Sequence, residues 1–417
     1  MDFFQSAYKM YHSTETALLR VQNDILHDID KKKVSLLVLL DLSAAFDTID
    51  HTILLKRLRN KFGIKGTALN WIKSYLSCRT QKVKVGDKYS ETKEIKYGVP
   101  QGSVLGPILF TMYMSPLGDI VRKHGMSYHI YADDTQIYLA FEADSATNNE
   151  QLAHSRLEAC IKDVKKFLLI NRMKLNDDKT EFLITGTDQQ RKKLEMHTIN
   201  VGNTEITVSE SVKNLGVYLD SELKMEKHVN DICRRGYYKL RNFAEIRPYL
   251  DEDTARTVAQ ALVTSTLDYG NSLLYGISEK LIHKLQVFQN AVVRVVKRLK
   301  KYDHITEARK ELHWLPVKER IIHKLLTITW KALHNMAPDY LQDLLVIRNT
   351  GRSLRSSKAL VLEVPKSQNK NGGDRAFAVA APVEWNKLPA ELRNTDNLNT
   401  FKKKLKTFLF RLAYGAD

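Results

Sequence analysis

Cysteine is scarce in this chain: Cys78, Cys160 and Cys233 are the only three in 417 residues. They are odd in number and far apart, which excludes a disulfide framework and a CxxC zinc pattern and points to a reducing compartment. Long apolar runs are missing too. The longest, Val34 to Leu40 interrupted by Ser35, falls well short of the roughly 20 residues that span a bilayer. No charged-then-apolar signal segment opens the chain. The expected location is therefore intracellular, in nucleus or cytoplasm, with no membrane partner. A GxxxxGK[ST] phosphate loop is also absent, as is any internal repeat of fixed period.

Positive charge is in excess. Lys and Arg number 65 against 48 Asp and Glu, a formal net charge of +17. That surplus fits a polyanionic partner, nucleic acid first. A hydrophobic content of 43% is ordinary for a core-forming protein, and the length suits two or three domains better than one.

Along the chain, Ser13-Thr14 caps a helix carrying Ala17, Leu18, Val21, Ile25 and Ile29, closed by Lys31-Lys32-Lys33. Val34 to Leu40 is apolar on both faces and reads as a buried central strand. It runs into Asp41, a poor place for a charge unless something neutralises it. Asp47 and Asp50 read better as caps of the helix bearing Ile53, Leu54 and Leu58 than as ligands. A helix from Ala68 to Leu76 is expected to bury Trp71 and Tyr75, with basic strands following near Gln81–Val85 and Thr92–Lys96. Gly98-Val99-Pro100-Gln101-Gly102-Ser103 then brings a backbone close to something before a helix from Ile108 to Met114.

Tyr131-Ala132-Asp133-Asp134 follows, between short aromatic and β-branched flanks that read as a hairpin. Two adjacent carboxylates raise each other's pKa. A hard divalent cation removes that penalty and prefers carboxylate oxygens. The plain alternative is an Asp-Asp turn chosen for turn propensity.

Beyond it, Leu152, Leu157, Ile161, Val164 and Leu168 mark one face of a helix, and Leu175 to Thr180 turns into a strand over Glu181–Thr185. Gly202-Asn203 signals a further hairpin, and Val212 to Leu219 reads as one strand. From about Glu222 the spacing is helical, over 224–247, 251–269, 278–299, 318–335 and 339–347. Arg294 to Lys310 is basic, Gly351 to Gly373 reads as a mobile connection, and Asn399 to Leu412 as a final basic amphipathic helix.

In this order, the blocks LLVLLDLSAAFDTIDH, YGVPQGSVLGPILFTMYMSPL, IYADDTQIYLAF, MKLNDDKTEFLITG and VKNLGVYLD resemble the palm of a reverse transcriptase. The resemblance is specifically to those of non-LTR (LINE-type, CR1- or jockey-like) retrotransposons, over about residues 34 to 220. The resemblance implies an α+β fold: a right-hand polymerase palm at 34–221, with an antiparallel sheet and flanking helices. A remnant of fingers at 1–33 precedes it, and a helical thumb (222–300) and helical C-terminal region (301–417) follow. It also implies RNA-directed DNA synthesis, adding dNTPs to a DNA primer on an RNA template, with the RNA–DNA hybrid held by backbone and shape.

Site residues follow from the same likeness. Asp41, Asp133 and Asp134 match the acids that hold two Mg²⁺ ions (or Mn²⁺), with the Leu42 backbone carbonyl completing the set. Phe46 matches the aromatic gate that excludes a 2′-hydroxyl, and Gln101 and Gly102 the turn contacting the incoming nucleotide and template. Lys179 matches the lysine that assists the leaving pyrophosphate, and Asn214, Leu215, Gly216 and Val217 the primer grip. Only Gln5 to Leu19 resembles the end of the family's fingers, and its upstream endonuclease is missing, so a truncated copy is expected. Leu312 to Arg320 and Ala380 to Pro389 resemble C-terminal tails of these elements. The rivals are a truncated, inactive nucleic-acid-binding relic and an RNA-dependent RNA polymerase. Phe46 and Tyr131-Ala132 argue against the second. Protein partners are unknown.

Overall fold

Apolar side chains on both faces of Val34–Leu40 demand cover on both sides, and the strand they form, Lys33–Leu40, lies inside a four-stranded sheet. The structure, a computed structural model, describes residues 2–144, 148–348, 360–369 and 372–415. Within the connection expected over Gly351 to Gly373, residues 351–359 and 370–371 lie outside the described residues. The chain forms two compact units that interleave along the sequence. One takes the chain up to His12, Ser35–Ile184 and Lys192–Ser209. The other takes Ser13–Val34, Thr185–Arg191 and everything from Glu210 onward.

In the first unit the sheet order is Glu181–Thr185, Lys33–Leu40, Asp134–Glu142, Ser127–Tyr131. The last two pair antiparallel, from Ser127 opposite Tyr138 to Tyr131 opposite Asp134. Past the outer edge, the N-terminal stretch adds a parallel bridge between Gln5 and Ile130. The helix Asn149–Ile170 covers the sheet with Leu157, Cys160, Ile161, Val164 and Leu168, all buried. Leu152 belongs to the same apolar spacing but is exposed, one position outside the covered stripe. Asp50 caps His51–Phe62 as expected, its carboxylate accepting the Ile53 N–H at 3.0 Å, a contact worth about 1 kcal/mol. The expected burial of Trp71 and Tyr75 does not occur. Helix Gly66–Leu76 buries only Leu76, Tyr75 is half-buried, and Trp71 is 58% exposed.

In the second unit, helix Thr14–Asp30 starts with a capping box between Ser13 and Thr16. Its polar side chains tie it to later segments: Glu15 accepts both the N–H and the hydroxyl of Ser272. Asn23 accepts the N–H of Ala378, and Asp30 those of Gln368 and Asn369. Residues 212–219 are not one strand. They form a hairpin, Ser211–Asn214 against Val217–Asp220, because Leu215 and Gly216 take left-handed backbone angles (φ +44° and +83°). Long helices follow at Glu226–Ile246, Glu279–Lys297 and Val317–Leu333, and the last runs over Leu398–Tyr414. The helix expected over 339–347 is a single turn, Asp339–Gln342. Trp330, Trp385, Phe401, Leu405 and Leu409 form a buried cluster here. Among the described residues, no helix is long and apolar enough to cross a membrane.

Candidate active site

The hairpin turn is two residues long, Ala132 and Asp133, and Asp134 opens the returning strand. Ala132 sits at φ +58°, a conformation that residues with a Cβ rarely adopt. Its N–H donates at 3.2 Å to the side-chain carbonyl of Gln5, which also accepts the Ala7 N–H at 2.8 Å. Gln5 is 3% exposed, so these amides have little access to water. Beside it, Ser6 Oγ is 2.7 Å from Nε2 of the buried His129. Tyr8 lies close enough for Asp133 to add to the burial that raises its phenol pKa.

Asp133 is half-buried, and its carboxyl is raised from the usual range, first by desolvation. Its own backbone N–H opposes that rise, the charge of Asp41 adds to it, and Lys179 opposes it. Asp134 is pushed up to about 6, by desolvation, then by Asp133 and Asp41. Its side chain keeps an open face to solvent.

Asp41 leaves the central strand and is pinned from the opposite direction. Leu42–Ser43 pairs antiparallel with Lys174–Leu175, and the Asn176 N–H donates to the Asp41 carbonyl at 2.9 Å. One tight turn later, Asp177–Lys179, the Lys179 ammonium stands 3.5 Å from Asp41 Oδ2. The turn is anchored by Lys165, which pairs with Asp177 at 2.8 Å and donates to the Val201 carbonyl.

Phe46 stacks on the buried Phe110, ring centroids 4.4 Å apart at 25°. The glycine loop packs directly on this segment. Val99 N–H donates to the Phe46 carbonyl and Gly98 N–H to that of Ile49. A Cβ at Gly98 would stand 2.8 Å from Asp47 Cα and 2.9 Å from the Phe46 oxygen. Only glycine allows this approach. The approach delivers Gln101, whose amide donates to Asp47 Oδ1 at 2.9 Å. Asp47 therefore is not a helix cap, as the sequence suggested, but the partner of the glutamine. Gly102 (φ +77°) has open space on the side where a Cβ would stand.

The remaining expected site residues, Asn214 to Val217, fall in the second unit. There Tyr269 donates its hydroxyl to the Leu215 carbonyl at 2.7 Å, and its ring lies 3.2 Å from where a Gly216 Cβ would be.

Among the described residues, no three Asp, Glu, His or Cys side chains close around a point able to hold a metal ion. The donor chemistry nevertheless suits a divalent cation. Burial first, and then the charges of neighbouring carboxylates, raise the pKa values of Asp133 and Asp134, and a hard cation favours their ionised forms. Gln5, Tyr8 and the Gln101 partnership of Asp47 went unseen in the sequence. Gln5 sits in a stretch without period, and the other two depend on contacts between distant segments.

The sequence pattern of the family described as "Reverse transcriptase (RNA-dependent DNA polymerase)" matches residues 1–219. Among characterised relatives, the RNA-directed DNA polymerase from mobile element jockey of Drosophila melanogaster is 24% identical over 377 residues, 88% of this chain and 38% of that protein. The probable RNA-directed DNA polymerase from transposon BS of the same species is 25% identical over 336 residues, covering 76% and 35%. The chain thus spans little more than a third of the length of these relatives. A solved telomerase structure from Candida tropicalis with a telomeric RNA fragment aligns at TM-score 0.38 and 13% identity, covering 76% of this chain and 51% of that one. Taken over residues 1–219, more than half its length, the chain belongs to the reverse transcriptase family.

Proposed function

We infer that this chain is the polymerase portion of a non-LTR retrotransposon reverse transcriptase, adding deoxynucleotides to a DNA primer on an RNA template. The observation that carries this reading is the meeting of charges from three separate segments: Asp41 from the central strand, Asp133 and Asp134 from the hairpin, and Lys179 from its own turn. In this reading residues 34–221 are palm, 1–33 a remnant of fingers, 222–300 thumb, and 301–417 a helical region of unknown role.

Reverse transcriptases use divalent metal ions. Here Asp41, Asp133 and Asp134, with the Leu42 carbonyl, would hold two Mg²⁺ or Mn²⁺ ions. When bound, such ions activate the attacking 3′-oxygen and neutralise charge on the leaving group. The chain's own groups do the rest. Lys179, exposed at the rim of the site beside Asp41, stabilises pyrophosphate as the bond from the α-phosphorus to it breaks. Phe46, fixed against Phe110, lies beneath the sugar. Gln101, oriented by Asp47, and Gly102, with its open side, contact the nucleotide and template. Asn214 to Val217 hold the primer end.

The test is deoxynucleotide incorporation on an RNA template with a DNA primer in Mg²⁺, beside Asp133→Ala. Incorporation should fall by about 10²- to 10³-fold in the variant, the scale of losing one charge-stabilising group at a reacting centre. Wild-type chain that binds the hybrid but adds no nucleotide would instead be a relic that grips without synthesising. Preference for ribonucleotides would point to an RNA-dependent RNA polymerase.

A further inference from the structure

Residues 65–97 of the first unit stand apart in their exposure. From Gly66 to Tyr97, Leu76 alone is buried. The segment is helix Gly66–Leu76 followed by a two-stranded ribbon, Arg79–Gln81 against Lys93–Ile95 and Lys84–Val85 against Lys88–Tyr89. Val83, Val85 and Tyr89 on that ribbon are 64%, 76% and 63% exposed. A two-stranded ribbon gains little from its own burial, and large apolar groups left open on it call for a covering partner.

The chemistry of the groups at this surface, Trp71 exposed and Tyr75 half-buried beside it, says what kind. Trp71 and Tyr75, at i and i+4 on one helix face, have near-parallel rings (11°) with centroids 5.9 Å apart. Arg79, four residues on, lays its guanidinium over the Tyr75 ring at 4.8 Å. On the ribbon, the Lys84 ammonium sits over Tyr89 at 5.3 Å. Between Lys65 and Tyr97 there are eight Lys and Arg against three acids. Among the described residues, none of those eight takes part in an ion pair. Flat rings repeated at helical spacing, interleaved with unpaired cations, match a strand whose bases stack and whose phosphates are anionic. A protein partner would need either an acidic face or an apolar one. It would leave the parallel ring ladder without a use.

We propose that Trp71, Tyr75 and Arg79, with the basic ribbon 79–95, form a stacking platform for single-stranded nucleic acid. The platform is separate from the acidic site, and its occupant binds without metal or nucleotide. Stacking is indifferent to the sugar, so RNA and DNA single strands share the chemistry.

The chain carries its own reporter. Of its four tryptophans, Trp314, Trp330 and Trp385 are at most 2% exposed, and Trp71 is 58% exposed. Titrating the full chain with rU12, and in a second arm with dT12, should quench tryptophan fluorescence saturably. Tyr75→Ala should weaken binding roughly tenfold, and Lys84→Gln with Lys88→Gln should flatten the salt dependence by about 1.4 in the log–log slope. Equal affinity in the two arms supports stacking; a strong preference for rU12 would move the recognition to the 2′-hydroxyl and overturn it. Trp71, Lys84 and Lys88 are exposed and Tyr75 is half-buried, so a native far-UV circular dichroism spectrum for each variant separates lost binding from lost fold. Saturable binding unchanged by Tyr75→Ala would overturn the proposal. So would a wild-type dimer in sedimentation that Trp71→Ala converts to monomer, since a second copy would then be the cover. The readout needs no turnover, so a chain without incorporation activity still decides it.

Discussion

On the proposed polymerase reading, Phe46 is the residue at which one side chain would separate two substrates. Its ring is held by stacking on Phe110, and its carbonyl accepts the Val99 N–H, so both ring and backbone are fixed in place. Burial of Phe110, which is fully inaccessible, anchors the pair. An aromatic contact of this kind is worth about 1 kcal/mol beyond its area, so Phe46→Val should lower stability only modestly. Its main effect should fall on discrimination. The ratio of kcat/KM for dGTP over GTP should drop roughly 10- to 100-fold, through a rise on the ribonucleotide side. Steady-state incorporation of each nucleotide, measured separately, checks this. If both rates fall together, Phe46 is only a packing partner of Phe110 and the gate lies elsewhere.

At the scale of elements, the acidic turn is buttressed by a stretch of chain far from it in sequence. Gln5 bridges to Ile130 and its side chain satisfies the N–H of Ala132 at the left-handed position. Replacing it by Met keeps the volume but removes the acceptor shared by Ala132 and Ala7. Leaving buried donors unmet costs about 1–3 kcal/mol. With the turn relaxed, Asp133 and Asp134 lose their fixed aim. Gln5→Met should lower kcat about tenfold, with the KM for dNTP little changed, while far-UV circular dichroism stays native. An unaltered kcat would reduce Gln5 to a stability residue. The hairpin is readable because its flanks are short, aromatic and β-branched and its turn is acidic, and the buried strand ending in Asp41 because its apolar run is uninterrupted save for Ser35. Gln5 was not, since a buried polar side chain leaves no periodic trace. The 211–220 hairpin was missed because Leu215 takes a backbone angle (φ +44°) that leucine rarely adopts, held by the Tyr269 hydroxyl from 54 residues away. Trp71 was misjudged because spacing reveals a face, and not whether anything covers it.

The whole molecule is basic, and acid adds to a charge already at +17, but the sharper pH dependence comes from histidines buried in the second unit. His228 is 1% exposed, and among the described residues neither ring nitrogen has a hydrogen-bond partner. Burial pushes its pKa down to about 4, Arg235 adds to that, and Asp231 opposes it. His323 is also lowered to about 4, chiefly by burial, with the Lys402 carbonyl opposing and Arg320, Lys402 and Lys406 adding. Both rings are neutral in the folded chain at pH values where the unfolded chain binds a proton. Stability therefore is complete above the unfolded pKa of about 6.5 and is lost as pH falls from there towards 4. A drop of this size is worth roughly 3 kcal/mol per ring. Urea unfolding followed by tryptophan fluorescence should show the midpoint falling steeply between pH 6.5 and 4.5, because Trp314, Trp330 and Trp385 all lie in that unit. His228→Leu removes one of the two protons taken up and also removes a polar ring with no partner. Its midpoint should exceed wild type at pH 5 by more than at pH 7.5, halving the acid slope. Parallel curves for the two proteins across that range would mean that the ring is hydrated in solution.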